Sequence, residues 1–226
     1  LLKLLKIEFF FLRDHKDLSK LKKVINTANK KKSEVAFLIE KGTLQIKNKK
    51  RKSQKNKFIF RSEFIKKFLN EIPKKSKIIS TTGYTSRELM DIRKSNKLNN
   101  GKDFYMVGGM GHSSSVALGY AMQSKKKVFC LDGDGSMLMH LGALRTIGYL
   151  SNKNFKHIIL NNNSHESVGG QLTTASGVDL KKLSSSVGYK NYFIIKDKKN
   201  IRSKIKSFIK AKGPSLFHVK ITTAPL

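Results

Sequence analysis

Residues 128–136 read VFCLDGDGS, and residues 157–164 read HIILNNNS. Each segment is a short apolar run that ends in small polar residues, and a helical pattern from Met137 to Leu150 lies between them. A strand, a helix and a second strand in this order predict two parallel strands joined by a crossover helix. The carboxyl ends of such strands meet at one edge of the sheet, where open α/β sheets bind ligands. The sequence therefore predicts that DGDGS and NNNS lie side by side.

The same alternation of strands and helices continues on both sides of this pair. Further strands are predicted at Lys77–Ser80, Tyr192–Ile195 and Leu216–Ile221, and further helices at 61–70, Ser113–Gln123 and Asn200–Lys210. This order is typical of an α/β fold, a parallel sheet with helices on both faces.

The residues before position 59 show a different composition. An amphipathic helical pattern within 16–32 is followed by a short strand pattern, VAFLI, at 35–39, and then by the basic run NKKRKSQKNK at 48–57. This run divides the chain into residues 1–47, a basic linker at 48–58 and residues 59–226, which contain the regular alternation and form a complete domain.

The charge balance is strongly basic: 47 Lys and Arg stand against 15 Asp and Glu, a net charge of +32 over 226 residues. Such a charge suggests nucleic acid as a partner. The lysines are scattered and few aromatic residues interleave with them, which favours solvated surface lysines. Nucleic-acid binding is therefore not expected, although a basic nucleic-acid-binding protein remains an alternative.

The sequence also bears on cellular location. No run of about 18 uncharged apolar residues is present, so no membrane span is expected. The apolar opening is interrupted by Lys3, Lys6 and Glu8 and has no small-residue cleavage site, which argues against a signal peptide. A single cysteine, Cys130, allows no internal disulfide and fits a reducing cytoplasm.

The segment DGDGS has the chemistry of a phosphate and metal site. Gly133 and Gly135 allow a ligand to approach the backbone closely, and the helix that follows offers free N–H groups to a phosphate. Asp134, between the two glycines, can reach a metal. The segment alone is equally compatible with a plain turn, while the acidic spacing of a calcium loop is missing.

The asparagines at 161–163 supply hard oxygen donors of the kind that Mg²⁺ prefers, although an Asn-rich turn would look the same. A third polar segment, VGGMGHSSS at 107–115, is a glycine-rich loop before a helix and could serve only helix–strand packing. In TTGYTSREL at 81–89, Gly83 and Thr85 could bind a diphosphate or an anionic substrate group, or could cap the next helix.

A GDG at one strand end and an NN at the next strand end resemble the motif of thiamine-diphosphate enzymes. The resemblance implies a Mg²⁺ site formed by Asp134, Asn162 and the carbonyl of Ser164. It implies that Met110 lies beneath the cofactor and forces its two rings into a V. The remaining residues expected to contact thiamine diphosphate lie in the same loops: Gly83, Thr85, Gly111, His112, Gly133, Gly135 and Ser136.

The series STTGYTSREL, GGMGHSSSVALGYA, CLDGDGSMLMHLGAL and LNNNSHESVGGQLT resembles phosphonopyruvate and sulfopyruvate decarboxylases over most of 35–173. This resemblance implies decarboxylation of a 2-oxo acid that bears a phosphonate or sulfonate group, with phosphonopyruvate, which would yield phosphonoacetaldehyde and CO₂, as the first candidate. A sulfopyruvate decarboxylase subunit and an acetolactate-synthase-like enzyme are the alternatives. His112, His165 and Glu166 are the candidate catalytic residues, although a surface role or a helix cap would explain them as well.

The segment AFLIEKGT at 36–43 resembles the end of the pyrimidine-binding domain of this family. The resemblance implies that residues 1–47 are the C-terminal remnant of that domain, the tail of a second α/β domain, and that residues 59–226 are the domain that binds thiamine diphosphate and Mg²⁺.

One expected group is missing from the sequence. In this family, a glutamate of the pyrimidine-binding domain protonates the aminopyrimidine ring, and it lies upstream of the segment that AFLIEKGT resembles. Glu8, Glu34 and Glu40 are in the wrong context to replace it. We therefore expect the chain, which begins at Leu1, to be a fragment or to need a second copy or a separate pyrimidine-binding subunit.

Overall fold

A computed structural model describes residues 1–40, 42–43, 57–95 and 103–223. The chain divides into two compact units, Leu1–Ser53 and Gln54–Leu226, which are described separately. Residues 48–56 of the predicted basic linker lie outside the described residues, so the domain limits 1–47, 48–58 and 59–226 stay a prediction.

The first unit is a strand–helix–strand motif. Strand β1 (Glu8–Leu12) pairs in parallel with β2 (Val35–Ile39), and helix α1 (Leu18–Lys31) connects them. The predicted helix and the predicted strand of this region are confirmed. Strand β1 was missed, because its sequence EFFFL continues the apolar opening of the chain without a turn signal.

The second unit contains seven strands and seven α-helices within the described residues. Its strands are β3 (Ile59–Phe60), β4 (Lys77–Ser80), β5 (Phe104–Tyr105), β6 (Val128–Gly133), β7 (Phe155–Asn161), β8 (Asn191–Ile195) and β9 (Ser215–Thr222). Its helices are α2 (Arg61–Leu69), α3 (Tyr84–Ser95), α4 (Ser113–Met122), α5 (Asp134–Met139), α6 (Ala143–Leu150), α7 (Leu180–Ser186) and α8 (Ile201–Lys210).

The strands of this unit form one parallel sheet in the order β3-β9-β7-β6-β4-β5, and β8 also pairs with β9. Side chains of a strand alternate between faces, so β6 points Phe129 and Leu131 into one apolar core and Val128 and Cys130 into another. Helices α2, α3 and α8 cover the first face, and α4, α5, α6 and α7 cover the second. The predicted α/β fold with helices on both faces is confirmed.

The largest difference from the prediction concerns the helix expected at 137–150. The structure has two helices there, α5 and α6, because His140 takes a non-helical backbone conformation (φ −135°, ψ 55°) and α6 restarts after Gly142. The two-residue strands β3 and β5 were not predicted either, since a run so short leaves no periodic pattern. Among the described helices, none combines the length and the apolar character needed to cross a bilayer.

Candidate active site

The polar segments predicted to converge do lie at one edge of the sheet. They follow β4, β6 and β7, which are consecutive neighbours in the sheet, and together they line an open cleft. The predicted residues among those that line the cleft are Thr85, Met110, Gly133, Asp134, Gly135, Ser136, Asn162, Ser164, His165 and Glu166. Gly83, Gly111 and His112 are not in this lining, although they belong to the loops that border it.

Asp134 is the acidic group at the centre of the cleft. It is the first residue of α5 and is almost fully buried. Its carboxylate accepts a hydrogen bond from the hydroxyl of Thr173 (Oγ1 to Oδ2, 2.5 Å). Burial raises the pKa of this carboxyl, although hydrogen bonds from Thr173 and from the backbone N–H of Asn162 oppose the increase. A bound cation would favour the ionised form, because an opposite charge offsets the cost of burial.

Asn162 faces Asp134 from the end of β7. Its side-chain oxygen accepts a hydrogen bond from the backbone N–H of Ser164 at 3.1 Å, which closes a tight turn. The turn continues through Asn163, whose backbone is left-handed (φ 54°), and this conformation is one that asparagine tolerates well. Asp134, Asn162 and Ser164 therefore lie in one cleft and offer a carboxylate, an amide oxygen and a backbone carbonyl, a set that suits Mg²⁺.

The loops around this set are in close contact. A Cβ atom on Gly135 would lie 2.5 Å from Cε1 of His165, so any larger residue there would displace the His165 ring. Gly111 has φ +83°, and its backbone N–H donates to the hydroxyl of Ser136 at 3.2 Å. That hydroxyl also lies 2.8 Å from the hydroxyl of Thr81. Short polar contacts thus join the loops after β4, β5 and β6.

The glycine-rich loop places Met110 on the cleft with 48% of its surface exposed. An exposed methionine beside polar groups is available to an apolar part of a ligand, as the predicted wedge requires. His112 lies just outside the cleft and is exposed, and its ring contacts that of His140 in a tilted arrangement, with 3.9 Å between the ring centroids. His140 is exposed at the break between α5 and α6.

Glu166 is a buried carboxylate at the far side of the cleft. It forms an ion pair with Arg61, the first residue of α2, which also lines the cleft and contacts Glu88 at 2.7 Å. Burial raises the pKa of Glu88, although the neighbouring guanidinium opposes the increase. Sequence reasoning missed Arg61 and Thr173, because only the folded sheet brings them to the cleft. Nothing in the sequence distinguishes Arg61 from the rest of the 47 Lys and Arg residues.

Comparison with known proteins shows which family the chain belongs to. Residues 81–219 match the family described as "Thiamine pyrophosphate enzyme, C-terminal TPP binding domain". A structure of a thiamin diphosphate-dependent enzyme from Mycobacterium smegmatis superposes with a TM-score of 0.59 at 16% identity, covering 82% of this chain and 37% of that one. The second comparison supports the fold alone.

Three relatives illustrate the sequence similarity. Phosphonopyruvate decarboxylase of Streptomyces viridochromogenes is 35% identical over 162 residues, which is 72% of this chain and 40% of the relative. Sulfopyruvate decarboxylase subunit beta of Methanocaldococcus jannaschii is 38% identical over 57% of this chain and 66% of the relative. The same subunit of Methanococcus maripaludis is 33% identical over 63% of this chain and 74% of the relative.

The chain spans about 40% of the phosphonopyruvate decarboxylases it matches and two thirds or more of two beta subunits. The family match covers all four polar segments that border the cleft, from Thr81 to the turn after β7. The chain belongs to the thiamine pyrophosphate enzymes and carries their C-terminal, thiamine-pyrophosphate-binding domain.

Proposed function

We propose that this chain is the diphosphate-binding part of a thiamine-diphosphate-dependent decarboxylase. The substrate would be a 2-oxo acid with a second anionic group, with phosphonopyruvate first. The reaction is non-oxidative: the bond to the carboxylate breaks, CO₂ leaves, and a proton takes its place to give phosphonoacetaldehyde. The observation that carries the proposal is the convergence of Asp134, Asn162 and Ser164 in a cleft of a chain similar to both named decarboxylases.

The chain's own groups fit the cofactor that its family binds. Asp134, Asn162 and the carbonyl of Ser164 would hold Mg²⁺, and the N–H groups around Gly133, Gly135 and Ser136 would bind the diphosphate. Thiamine diphosphate supplies the electron sink for decarboxylation. Buried Asp134 explains why the metal is needed, since two anionic groups could not approach each other without a cation between them.

The remaining loop residues are assigned by position. Met110, half-exposed on the cleft, would support the apolar middle of the cofactor. His165 lines the cleft and His112 borders it, so both are within the region where a substrate would carry its negative charges. An imidazole can act as proton donor near neutral pH. We assign proton transfer to one of these two histidines.

A second chain or domain would cover the other side of the cofactor. Helix α4 is apolar on its outer face as well as its inner face, with Val116, Tyr120 and Met122 exposed by 38%, 44% and 53%. A helix that is apolar all round is normally buried. We propose that a pyrimidine-binding subunit, or a second copy, packs on this face and brings the proton-relay glutamate. Cys130, a fully buried free thiol, is consistent with a reducing cytoplasm as the location.

Phosphonopyruvate and sulfopyruvate are the two candidate substrates. The beta subunits of sulfopyruvate decarboxylase match this chain at 33–40% identity, as well as the phosphonopyruvate decarboxylases do at 35–36%. The test is CO₂ release from phosphonopyruvate and from sulfopyruvate by the chain together with a pyrimidine-binding domain, with Mg²⁺ and thiamine diphosphate present. Release from phosphonopyruvate supports the first candidate, and release from sulfopyruvate alone the second. Release from neither, with cofactor bound, would refute the decarboxylase proposal.

A further inference from the structure

Glu166 makes two contacts through one oxygen atom. Its Oε2 pairs with a guanidinium nitrogen of Arg61 and accepts a hydrogen bond from Nδ2 of Asn162 at 3.0 Å. Arg61 is only 8% exposed, and it is held in turn by Glu88 and by the ring of Tyr84, 5.7 Å from its carbon to the ring centroid. The carboxylate is therefore fixed from one side by an immobile cation, and from the other it contacts a candidate metal ligand.

These contacts determine which way the amide of Asn162 points. An ionised carboxylate only accepts hydrogen bonds, so the amide nitrogen must face Glu166. The backbone N–H of Ser164 only donates, so the amide oxygen must face Ser164, 3.1 Å away. An amide rotated by 180° would place oxygen against carboxylate and nitrogen against N–H. Both partners thus require the same orientation, and they leave the second lone pair of Oδ1 available to a cation.

We infer that Glu166 is a positioning residue, which fixes the Asn162 oxygen for the metal, and that Arg61 holds Glu166 in place. This inference rests on the proposed function, since it takes Asn162 as a metal ligand, and it replaces the catalytic role that the sequence suggested for Glu166. Groups behind a metal ligand typically change metal affinity by about 10- to 100-fold when they are removed.

The decisive comparison is between two substitutions of Glu166. In Glu166→Gln, the amide oxygen can occupy the place of Oε2 and accept from both Arg61 and Asn162, while any proton-transfer capacity is lost. In Glu166→Ala, both contacts disappear. A positioning role predicts that Gln keeps the metal affinity and that Ala weakens it by about 10- to 100-fold. Arg61→Lys should also weaken metal affinity, because a lysine ammonium lacks the planar geometry with which the guanidinium pairs with both Glu88 and Glu166.

The experiment measures Mn²⁺ binding to the full 226-residue chain by electron paramagnetic resonance, with thiamine diphosphate present and no substrate. The control is Glu63→Ala on α2, which removes a partly exposed carboxylate that pairs with Lys67. Melting temperatures in EDTA establish that each variant is folded. In the assay with the pyrimidine-binding domain, the turnover of Glu166→Ala should recover at saturating Mg²⁺.

Three results would overturn the inference: wild-type affinity in Glu166→Ala, a Gln variant as weak as the Ala variant, or a Gln variant with normal affinity and abolished turnover. The last would restore Glu166 as a proton-transfer group. Failure of the wild-type chain to bind Mn²⁺ would also overturn it, because Asn162 would then not be a ligand. Normal Mn²⁺ binding without decarboxylation would refute the proposed function and leave the inference intact.

Discussion

The chemistry of the cleft depends first on single residues whose charge is costly to bury. Asp134 is an almost fully buried acid, and burial raises its pKa. Its neighbour Thr173 was not predictable, because 39 residues separate the two side chains in sequence. Asp134 itself was predictable, since glycines on both sides of an acid after a strand form a compact local pattern. Polar segments at neighbouring strand ends could be found from the sequence, whereas a single side-chain partner such as Thr173 could not.

Removal of the Asp134 charge should abolish Mg²⁺-dependent binding of thiamine diphosphate. We expect Asp134→Asn, which keeps the size of the side chain, to show no metal-dependent heat in calorimetric titration, because the diphosphate loses its bridge to the protein. Asp91→Asn, an exposed acid on α3, is the matched control and should bind normally. An unchanged magnesium dependence in Asp134→Asn would remove Asp134 from the metal site.

We expect the protein's free energy of unfolding to depend on pH through His218. The oxygen of Asn161 accepts from the backbone N–H of Asn163, so its amide nitrogen faces Nε2 of His218 and must donate to it at 3.1 Å. Protonation would place two N–H groups against each other. Burial, followed by the charges of Lys220 and Lys196, lowers the pKa of His218 to about 4 from the ordinary value of 6.5.

Between pH 6.5 and 4, His218 is therefore protonated in the unfolded chain and neutral in the folded chain. The free energy of unfolding decreases as the pH falls through this range. We expect the His218 contribution to fall by about 2 kcal/mol between pH 7 and pH 5. Urea unfolding at both pH values should show a smaller loss for His218→Gln than for the wild type. His15→Gln, an exposed histidine, should retain the wild-type loss, and equal losses in all three proteins would contradict the assignment.

At the scale of elements, the longer strands of the sheet were more predictable than the short strands β3 and β5 and the helices that connect the strands. The strands β4, β6, β7 and β9 were expected, because buried parallel strands read as continuous apolar runs. The break between α5 and α6 was not, since HLGAL at 140–144 continues the helical spacing and only the backbone of His140 departs from it. The result of the break is local: His140 is exposed, and its ring contacts that of His112.

Helix α6 packs unusually close to the chain after α7. A Cβ atom on Gly148 would lie 1.8 Å from the carbonyl oxygen of Val187, so backbone meets backbone there. We expect Gly148→Ala to destabilise the protein by about 1–3 kcal/mol, as overpacking does. Gly119→Ala on α4, where a Cβ would meet nothing within 4 Å, should instead stabilise it by about 0.5–1 kcal/mol. Chemical denaturation compares the two, and equal effects would show that the contact can relax.

At the scale of the whole molecule, the outer face of α4 is an apolar surface that the described residues of the chain leave uncovered. We expect Tyr120→Lys to weaken association with the pyrimidine-binding subunit or second copy and to lower the thiamine-diphosphate-dependent rate, because a lysine charge cannot be buried there without a partner. Ser203→Lys on α8, exposed on the opposite face of the sheet, is the control. Sedimentation velocity gives the assembly state, and unchanged association in Tyr120→Lys would place the partner elsewhere.

The order of strands in the sheet also has a consequence for biosynthesis. Strand β9, the last described strand of the chain, lies in the interior of the sheet, where it pairs with β3, β7 and β8. A nascent chain on the ribosome can form β4, β6 and β7 early, but β7 keeps an open edge until residues 215–222 leave the exit tunnel. Unpaired parallel strands are prone to aggregation during slow folding. Newly made protein should therefore depend on chaperones most strongly until residues 215–222 have left the ribosome and paired with β7.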